Sequence, residues 1–572
     1  MRIAVVQFNP VVGSIQTNAE QMISQALAHR EQGAQVVIFP ELALCGYPPL
    51  DRLETQGFVD QCALGAKRIA QQTRGIGVIF GLPLRNPQPT GKPLLNGACL
   101  TFDGAVQQYW AKTLLPDYDV FDEGRYFAPA PVNFNRLWHW GNVRIAVSIC
   151  EDLWNDAQGN VYERNPLADE TFEQADWVLN LAASPFHLGK DALRHSVLSQ
   201  VCSRLGKPLL YVNTCGAQAE LIFDGSSACF DAAGRCVAAL PAFEEIGAQL
   251  QWDGGQWRPE SAWRSGEGVV AHDVGDSTRT RFQPDDAGDS EAELELLHSA
   301  LLYGIKDFFG KQNLSRAVIG LSGGIDSALV TLLAVQALGP DRVMALLMPS
   351  PFSSGHSVDD SVLLAGQLGI RYHTMPVTPV FLAQQASFER AFGATMGELT
   401  LQNVQSRIRC AFLMAAANEW GGVMLNTSNK SELAVGYGTL YGDTSGALSV
   451  LGDLLKTRVY RLAHHLNRNG VLIPAQILDK VPSAELKPNQ ADSDDLPPYP
   501  LLDAILELYV DRKLAPSRIV ARGFDEAVVH KIVRMVDFCE FKRFQSPPIL
   551  RVTEKAFGRG RVMPLVARFF YD

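Results

Sequence analysis

The chain predicts an α/β protein made of two successive units. Apolar runs of strand length alternate with helix-length segments through both halves. Between the halves, from about residue 263 to residue 290, apolar periodicity stops and Gly, Asp, Ser, Thr and Arg dominate. The length of 572 residues also exceeds one ordinary domain. In the first unit, strands are expected at 3–8, 36–39, 78–82, 143–149, 177–181 and 209–212. Helices are expected between them at 19–29, 65–73 and 193–205, closed by Gly33, Gly75 and Gly206, which can take the left-handed conformation of a helix C-cap. Two short strands follow at 227–231 and 236–240, and a helix at 291–308 opens the second unit. The chain thus divides into 1–265, a linker at 266–290 and 291–572, with the boundary near residue 280. No internal repeat is visible.

Hydrophobic residues make up 47% and charged residues 19%, a globular balance. The net charge of −11 argues against a nucleic-acid surface. No apolar run has the length of a membrane span. Residues 1–8, M-R-I-A-V-V-Q-F, read as a strand and not as a signal peptide. The ten cysteines form no C-x-x-C pair, so neither zinc nor a disulfide framework is indicated, and a reducing cytoplasm is the expected location.

Residues 318–329, V-I-G-L-S-G-G-I-D-S-A-L, carry the first chemistry. A short apolar run turns through glycines into a helical pattern, so hydroxyls and bare N–H groups gather where a helix begins. Glycines let a backbone approach an anion, and a helix N-terminus is partially positive. The Lys of a Walker A loop is missing. Gly320, Leu321, Ser322, Gly323, Gly324, Ile325, Asp326 and Ser327 resemble instead the S-G-G-x-D-S loop of the N-type ATP pyrophosphatases. That resemblance implies ATP binding and cleavage to AMP and pyrophosphate.

In the first unit, Glu41, Lys112 and Cys150 each stand just past an expected strand end, at 36–39, 109–111 and 143–149. A cysteine at such a corner is an exposed nucleophile if a base makes its thiolate. Glu41 could take the proton, and Lys112 could stabilise an oxyanion. Taken singly, each has a plainer explanation: a structural thiol, a cap, a solvated charge. Together, in this order and local sequence, they resemble the Glu–Lys–Cys triad of the nitrilase superfamily, which implies an α-β-β-α sandwich. The same resemblance implies a second catalytic glutamate at Glu123. Within the glutaminase branch it implies glutamine contacts at Tyr118, Ser184 and Lys190. The roles of Glu151 and Asp152 stay open, and His187 is expected to be structural. The implied reaction is attack of Cys150 on the side-chain amide of L-glutamine, with release of ammonia.

In the second unit come N-V-Q-S-R-I-R (403–409), N-T-S-N-K-S-E (426–432), G-Y-G-T-L-Y-G-D (436–443), L-K-T-R-V-Y (455–460), P-S-A-E-L (482–486) and K-R-F-Q-S-P-P (542–548). In this order they resemble NAD⁺ synthetase, and the whole chain is similar to the glutamine-dependent NAD⁺ synthetase family. The implied fold of this unit is a Rossmann-like parallel sheet. Adenylating a carboxylate brings anions together, so a hard cation is needed. The resemblance implies Mg²⁺ on Asp326 and Glu432, ATP at Thr427, and deamido-NAD⁺ at Asn403, Glu432 and Lys542. Lys456 is a further candidate for phosphate charge, and Ser406 stands where a smaller residue is expected. The partners expected are small molecules, with a homo-oligomer by resemblance and a dry ammonia passage between two chemistries that make and use ammonia. Two alternatives stay open: a related amidase–pyrophosphatase acting on another acid or on tRNA, and a non-catalytic nucleotide sensor.

Overall fold

The computed structural model describes residues 1–567 apart from 133, 157, 158, 160, 261 and 266–288. Two compact units divide it, Met1–Ser277 and Thr278–Asp572. The expected linker at 266–290 and the boundary near residue 280 lie almost wholly outside the described residues.

The first unit is built on two seven-stranded sheets. In one, Arg2–Gln7, Val36–Ile38 and Gly77–Arg85 run parallel, and the hairpin Leu94–Phe102/Ala105–Ala111 extends the edge antiparallel. In the other, Val143–Ile149, Trp177–Ala182 and Leu209–Asn213 are the parallel centre. Strand alternation splits the core into layers. Ile3, Val5, Val36 and Ile38 cluster with Ile145, Val147 and Leu179 of the other sheet. Ala4, Val6, Val37 and Phe39 instead meet Met22, Cys62 and Ile69 of the helices Ile15–Glu31 and Phe58–Gln72. The helix Lys190–Leu205 covers the second sheet. Helix, sheet, sheet, helix is the layer order.

Expected and observed elements agree within a few residues, with one larger difference. The second helix begins at Phe58, seven residues before the expected 65, because Gly57 turns the chain at φ +84° and acts as its N-cap. The nine-residue strand Leu94–Phe102 was not among the expected elements, although Lys112 depends on it.

The second unit holds a five-stranded, wholly parallel sheet in the order Arg371–Thr374, Val343–Leu347, Ala317–Gly320, Val423–Asn426, Leu448–Ser449. A ligand crevice is expected beyond the carboxyl ends of such strands. Ala317–Gly320 lies at the centre and feeds the helix Ile325–Leu338, while Val423–Asn426 beside it feeds Lys430–Val435. A separate apolar cluster joins the helices Tyr499–Leu506 and Glu526–Phe538 through Leu502, Ile505, Ile532 and Val536.

Candidate active sites in the two units

In the first unit strand ends bring Glu41, Lys112 and Cys150 together, and the turn Glu123–Arg125 adds Glu123. Lys112 follows Ala105–Ala111, and Cys150 follows Val143–Ile149 at φ +42°. Glu41 lies two residues beyond Phe39. Its neighbour Leu42 is so close to the next strand that a Cβ on Gly81 would stand 2.0 Å from the Leu42 nitrogen. Only glycine permits that approach.

Lys112 Nζ lies 2.8 Å from Glu41 Oε1 and 2.8 Å from Glu123 Oε1. It is 0% exposed and the two glutamates 1% and 4%, which excludes a solvated surface charge. Asn96 closes the arrangement from the other side: its Nδ2 donates to Glu41 Oε1 at 2.7 Å and to Glu123 Oε2 at 3.1 Å. The Ala183 N–H donates to Glu41 Oε2 at 2.9 Å, and the Tyr47 hydroxyl to Glu123 Oε1 at 3.0 Å. Two carboxylates therefore share one ammonium. Burial disfavours the Lys112 ammonium, but Glu123 and Glu41 hold its pKa well above the usual lysine value. Burial, opposed by Lys112 and helped by the Glu41 charge, pushes the Glu123 carboxyl up to about 7.

Cys150 differs from expectation in one respect: it is buried, not exposed. Burial and the negative charges of Glu41, Glu151 and Glu123 outweigh Lys112 and push its thiol well above the ordinary cysteine value. A standing thiolate is therefore disfavoured.

Glu123 gives a pH prediction. Its pKa is raised above the ordinary 4.5, so the folded chain holds a proton the unfolded chain gives up. That stabilisation is complete below about 4.5 and is lost as pH rises through about 7. Between pH 5 and pH 8, the urea midpoint of wild type should fall further than that of Glu123→Gln. Equal falls would show that Glu123 is ionised throughout.

Two of the three candidate glutamine residues, Tyr118 and Lys190, contact side chains at or just after the turn Cys150–Leu153. The Tyr118 hydroxyl donates to Glu151 Oε1 at 3.0 Å, and so does the Tyr162 hydroxyl at 3.0 Å. Lys190 Nζ stands 4.1 Å from the Trp154 ring centroid. Ser184 is buried, with its N–H donating to Asn213 Oδ1 at 2.9 Å. Asp152 has a structural task. It accepts from the N–H groups of Thr113 and Leu114 at 2.8 and 2.9 Å and from Arg136 at 3.1 Å, tying the segment after Lys112 to the turn after Cys150. His187 Nδ1 lies 2.8 Å from the Leu188 carbonyl. Sequence reading missed Asn96, Tyr47, Tyr162 and the Ala183 N–H. A lone Asn within the apolar run L-L-N-G-A-C-L was the available signal for Asn96.

In the second unit, residues 320–327 form the expected strand–turn–helix, though the helix begins at Ile325, inside the motif. The Ser322 and Ser327 hydroxyls lie 3.1 Å apart, and Ser327 Oγ donates to the Gly324 carbonyl at 3.0 Å. Gly323 has φ +76°, and a Cβ there would stand 2.5 Å from the Ser357 carbonyl oxygen. Gly323→Ala should cost about 1–3 kcal/mol of local strain and weaken ATP-dependent turnover. An unchanged kcat/KM for ATP would refute that.

The loop opens on a cavity of about 630 Å³ lined by Ser322, Asp326, Asn403, Thr427, Glu432 and Lys542. Asn429 sits between the two expected metal carboxylates. Its Nδ2 donates to Asp326 Oδ1 at 3.0 Å, while its Oδ1 accepts the Glu432 N–H at 3.0 Å. Lys456 Nζ contacts Asp326 Oδ2 and lies 3.6 Å from Glu432 Oε1. Burial and the Asp326 charge push the Glu432 carboxyl up to about 8. The carboxyl oxygens of Asp326 and Glu432 are hard donors, the kind that suits Mg²⁺. Among the described residues no group of three or more His, Cys, Asp or Glu could form a metal cage. A two-carboxylate site completed by phosphate oxygens and water suits this ion. Asn403 Oδ1 accepts from the Thr439 hydroxyl at 2.7 Å, and Lys542 Nζ donates to the carbonyls of Gly436 and Gly438 at 2.7 and 2.8 Å. Ser406 Oγ accepts the Asp443 N–H at 3.0 Å, so the larger-than-expected residue is put to structural use.

A hydrolase-type Glu–Lys–Cys unit joined to a nucleotide-type parallel-sheet unit defines a bifunctional carbon–nitrogen enzyme. Residues 2–259 match the carbon–nitrogen hydrolase family and residues 297–546 the NAD synthase family. A glutamine-dependent NAD⁺ synthetase of Synechocystis sp. is 42% identical over 99% of each chain. One from Thermotoga maritima is 35% identical over 100% of this chain and 99% of its own. The solved glutamine-dependent NAD⁺ synthetase of Acinetobacter baumannii, in complex with adenosine diphosphate, is 32% identical, with TM-score 0.73 over 99% of this chain and 98% of its own. The chain belongs to the glutamine-dependent NAD⁺ synthetase family.

Proposed function

We propose that the family's two chemistries divide between 1–265 and 291–572, with residues 266–290 as linker. Tyr118, Ser184 and Lys190 hold glutamine beside Cys150. Glu41 takes the thiol proton as sulfur attacks the side-chain amide carbon, and Lys112 balances the oxyanion. The C–N bond breaks with a proton transferred to nitrogen, ammonia leaves, and water then cleaves the thioester to glutamate. Glu123, whose raised pKa lets it hold a proton near neutral pH, assists that transfer. The closed hydrogen-bonded set of Glu41, Lys112, Glu123 and Asn96 is the observation that carries this reading.

In the second unit, residues 320–327 and Thr427 bind ATP, while Asn403, Glu432 and Lys542 hold deamido-NAD⁺. The nicotinate carboxylate attacks the α-phosphorus, pyrophosphate leaves, and ammonia displaces AMP from the acyl-adenylate to give NAD⁺. Asp326 and Glu432 would hold Mg²⁺, which supplies neutralising charge at the polyphosphate. Ammonia must stay unprotonated to react, so we infer a dry passage from one chemistry to the other. We also infer a homo-oligomer. Val380, Leu382 and Phe392 of the helix Thr378–Phe392 and Leu399 of its successor are large apolar side chains exposed on the second unit, some of which a second copy would cover. Light scattering returning a monomer at micromolar concentration would refute this. Among the described residues no helix is long and apolar enough to cross a membrane, and we assign the enzyme to the cytoplasm. The deciding assay follows glutamate, AMP and NAD⁺ with glutamine, ATP and deamido-NAD⁺ supplied together. Equal yields of AMP and NAD⁺, with glutamate release accelerated by the other two substrates, are expected. Glutamate release with neither AMP nor NAD⁺ formed would indicate another acid acceptor.

A further inference from the structure

The two oxygens of each carboxylate in the Asp326–Glu432 pair are used by different partners. Asn429 takes one oxygen from each: its Nδ2 donates to Asp326 Oδ1 at 3.0 Å and its backbone N–H to Glu432 Oε2 at 3.3 Å. Lys456 takes the other from each, with Nζ in contact with Asp326 Oδ2 and 3.6 Å from Glu432 Oε1. Asn429 is fully buried and Lys456 is 3% exposed. The Lys456 ammonium thus sits where the two remaining oxygens converge, at the point a cation held by both would need. Two cations in one poorly hydrated place repel strongly.

The backbone of Lys456 is fixed independently of its charge. Its N–H donates to Ser431 Oγ at 2.9 Å, and the residue opens the helix Lys456–Leu466. The four-carbon stem can therefore swing without moving the fold. It also lines the cavity shared with Ser322, Gly324 and Thr427.

We propose that Lys456 is the resident counter-ion of the Asp326–Glu432 pair, and that a divalent cation binds there only by displacing its ammonium toward the nucleotide phosphates. The inference rests on reading Asp326 and Glu432 as the cation-holding pair. It makes cation and nucleotide binding mutually favourable. Without polyphosphate the displaced ammonium has no anion to meet, so the cation alone binds weakly; with polyphosphate, both positive charges have partners.

The test uses the full chain and Mn²⁺ alone, with free Mn²⁺ followed by electron paramagnetic resonance. Lys456→Gln should bind Mn²⁺ at least about tenfold more tightly than wild type, since one opposing charge is gone. Lys456→Arg, which keeps the charge, should bind no more tightly than wild type. Adding Asp326→Asn to Lys456→Gln should abolish the gain. A second measurement needs no variant: Mn²⁺ added to wild type should increase acylation of Lys456 by a small amine-reactive reagent, read by peptide mass spectrometry. Mn²⁺ binding that is insensitive to both Asp326→Asn and Glu432→Gln would sink the metal reading itself. Binding that responds to them, with no gain in Lys456→Gln or no increase in Lys456 labelling, would overturn this inference alone.

Discussion

Cys150→Ala is expected to abolish glutamine-driven NAD⁺ formation while leaving synthesis from added ammonia intact. Removing the nucleophile removes the thioester route, and losses of this kind reach at least about 10⁴-fold. The site should survive the change, because Cys150 is not part of the buried ion network. Lys112 keeps Glu41 and Glu123 at 2.8 Å each, and Asn96 still bridges them. With ammonium salt, ATP and deamido-NAD⁺ supplied, AMP and NAD⁺ should appear at the wild-type rate. Loss of both activities would show that the two chemistries are not divided as proposed.

Asp326→Asn should give the opposite separation. Both glutamine-driven and ammonia-driven synthesis should fall by about 10²–10³-fold, the usual effect of removing one preorganised electrostatic group. Asparagine is nearly isosteric, but it cannot balance Lys456 or contribute a full charge to a cation. Glutamate release from glutamine alone should continue, since Glu41, Lys112 and Cys150 are untouched. Undiminished AMP formation would place the adenylation machinery elsewhere.

The parts of this architecture that were readable in the sequence are those whose chemistry is local. Residues 320–327 place strand, turn and helix start within eight positions, and the glycine that must bend stands beside the serines it exposes. Glu41, Lys112 and Cys150 could be singled out because each follows its own apolar run. Asn96 could not be singled out this way. It meets Glu41 only because Leu94–Phe102 pairs with Gly77–Arg85 on one side and Ala105–Ala111 on the other, and register is a long-range property. Tyr47 and the Ala183 N–H are likewise brought in by the fold. The buried state of Cys150 was hidden for the same reason: a corner residue looks exposed until the sheets that enclose it are known. Lys456 could be read only as a candidate for phosphate charge, because its two acidic partners lie 130 and 24 positions away.

The set Glu41–Lys112–Glu123–Asn96 has a consequence for how this protein can change over time. Stripping one partner from a buried ion pair costs about 3–5 kcal/mol, but once Lys112 is gone, Glu123 has already lost the partner that its own replacement would remove. The double replacement Lys112→Met with Glu123→Gln should therefore be milder than the sum of the singles. Drift at any one of the four positions is penalised while drift at two together is partly forgiven. Lineages abandoning the hydrolase chemistry should then lose these residues as a block.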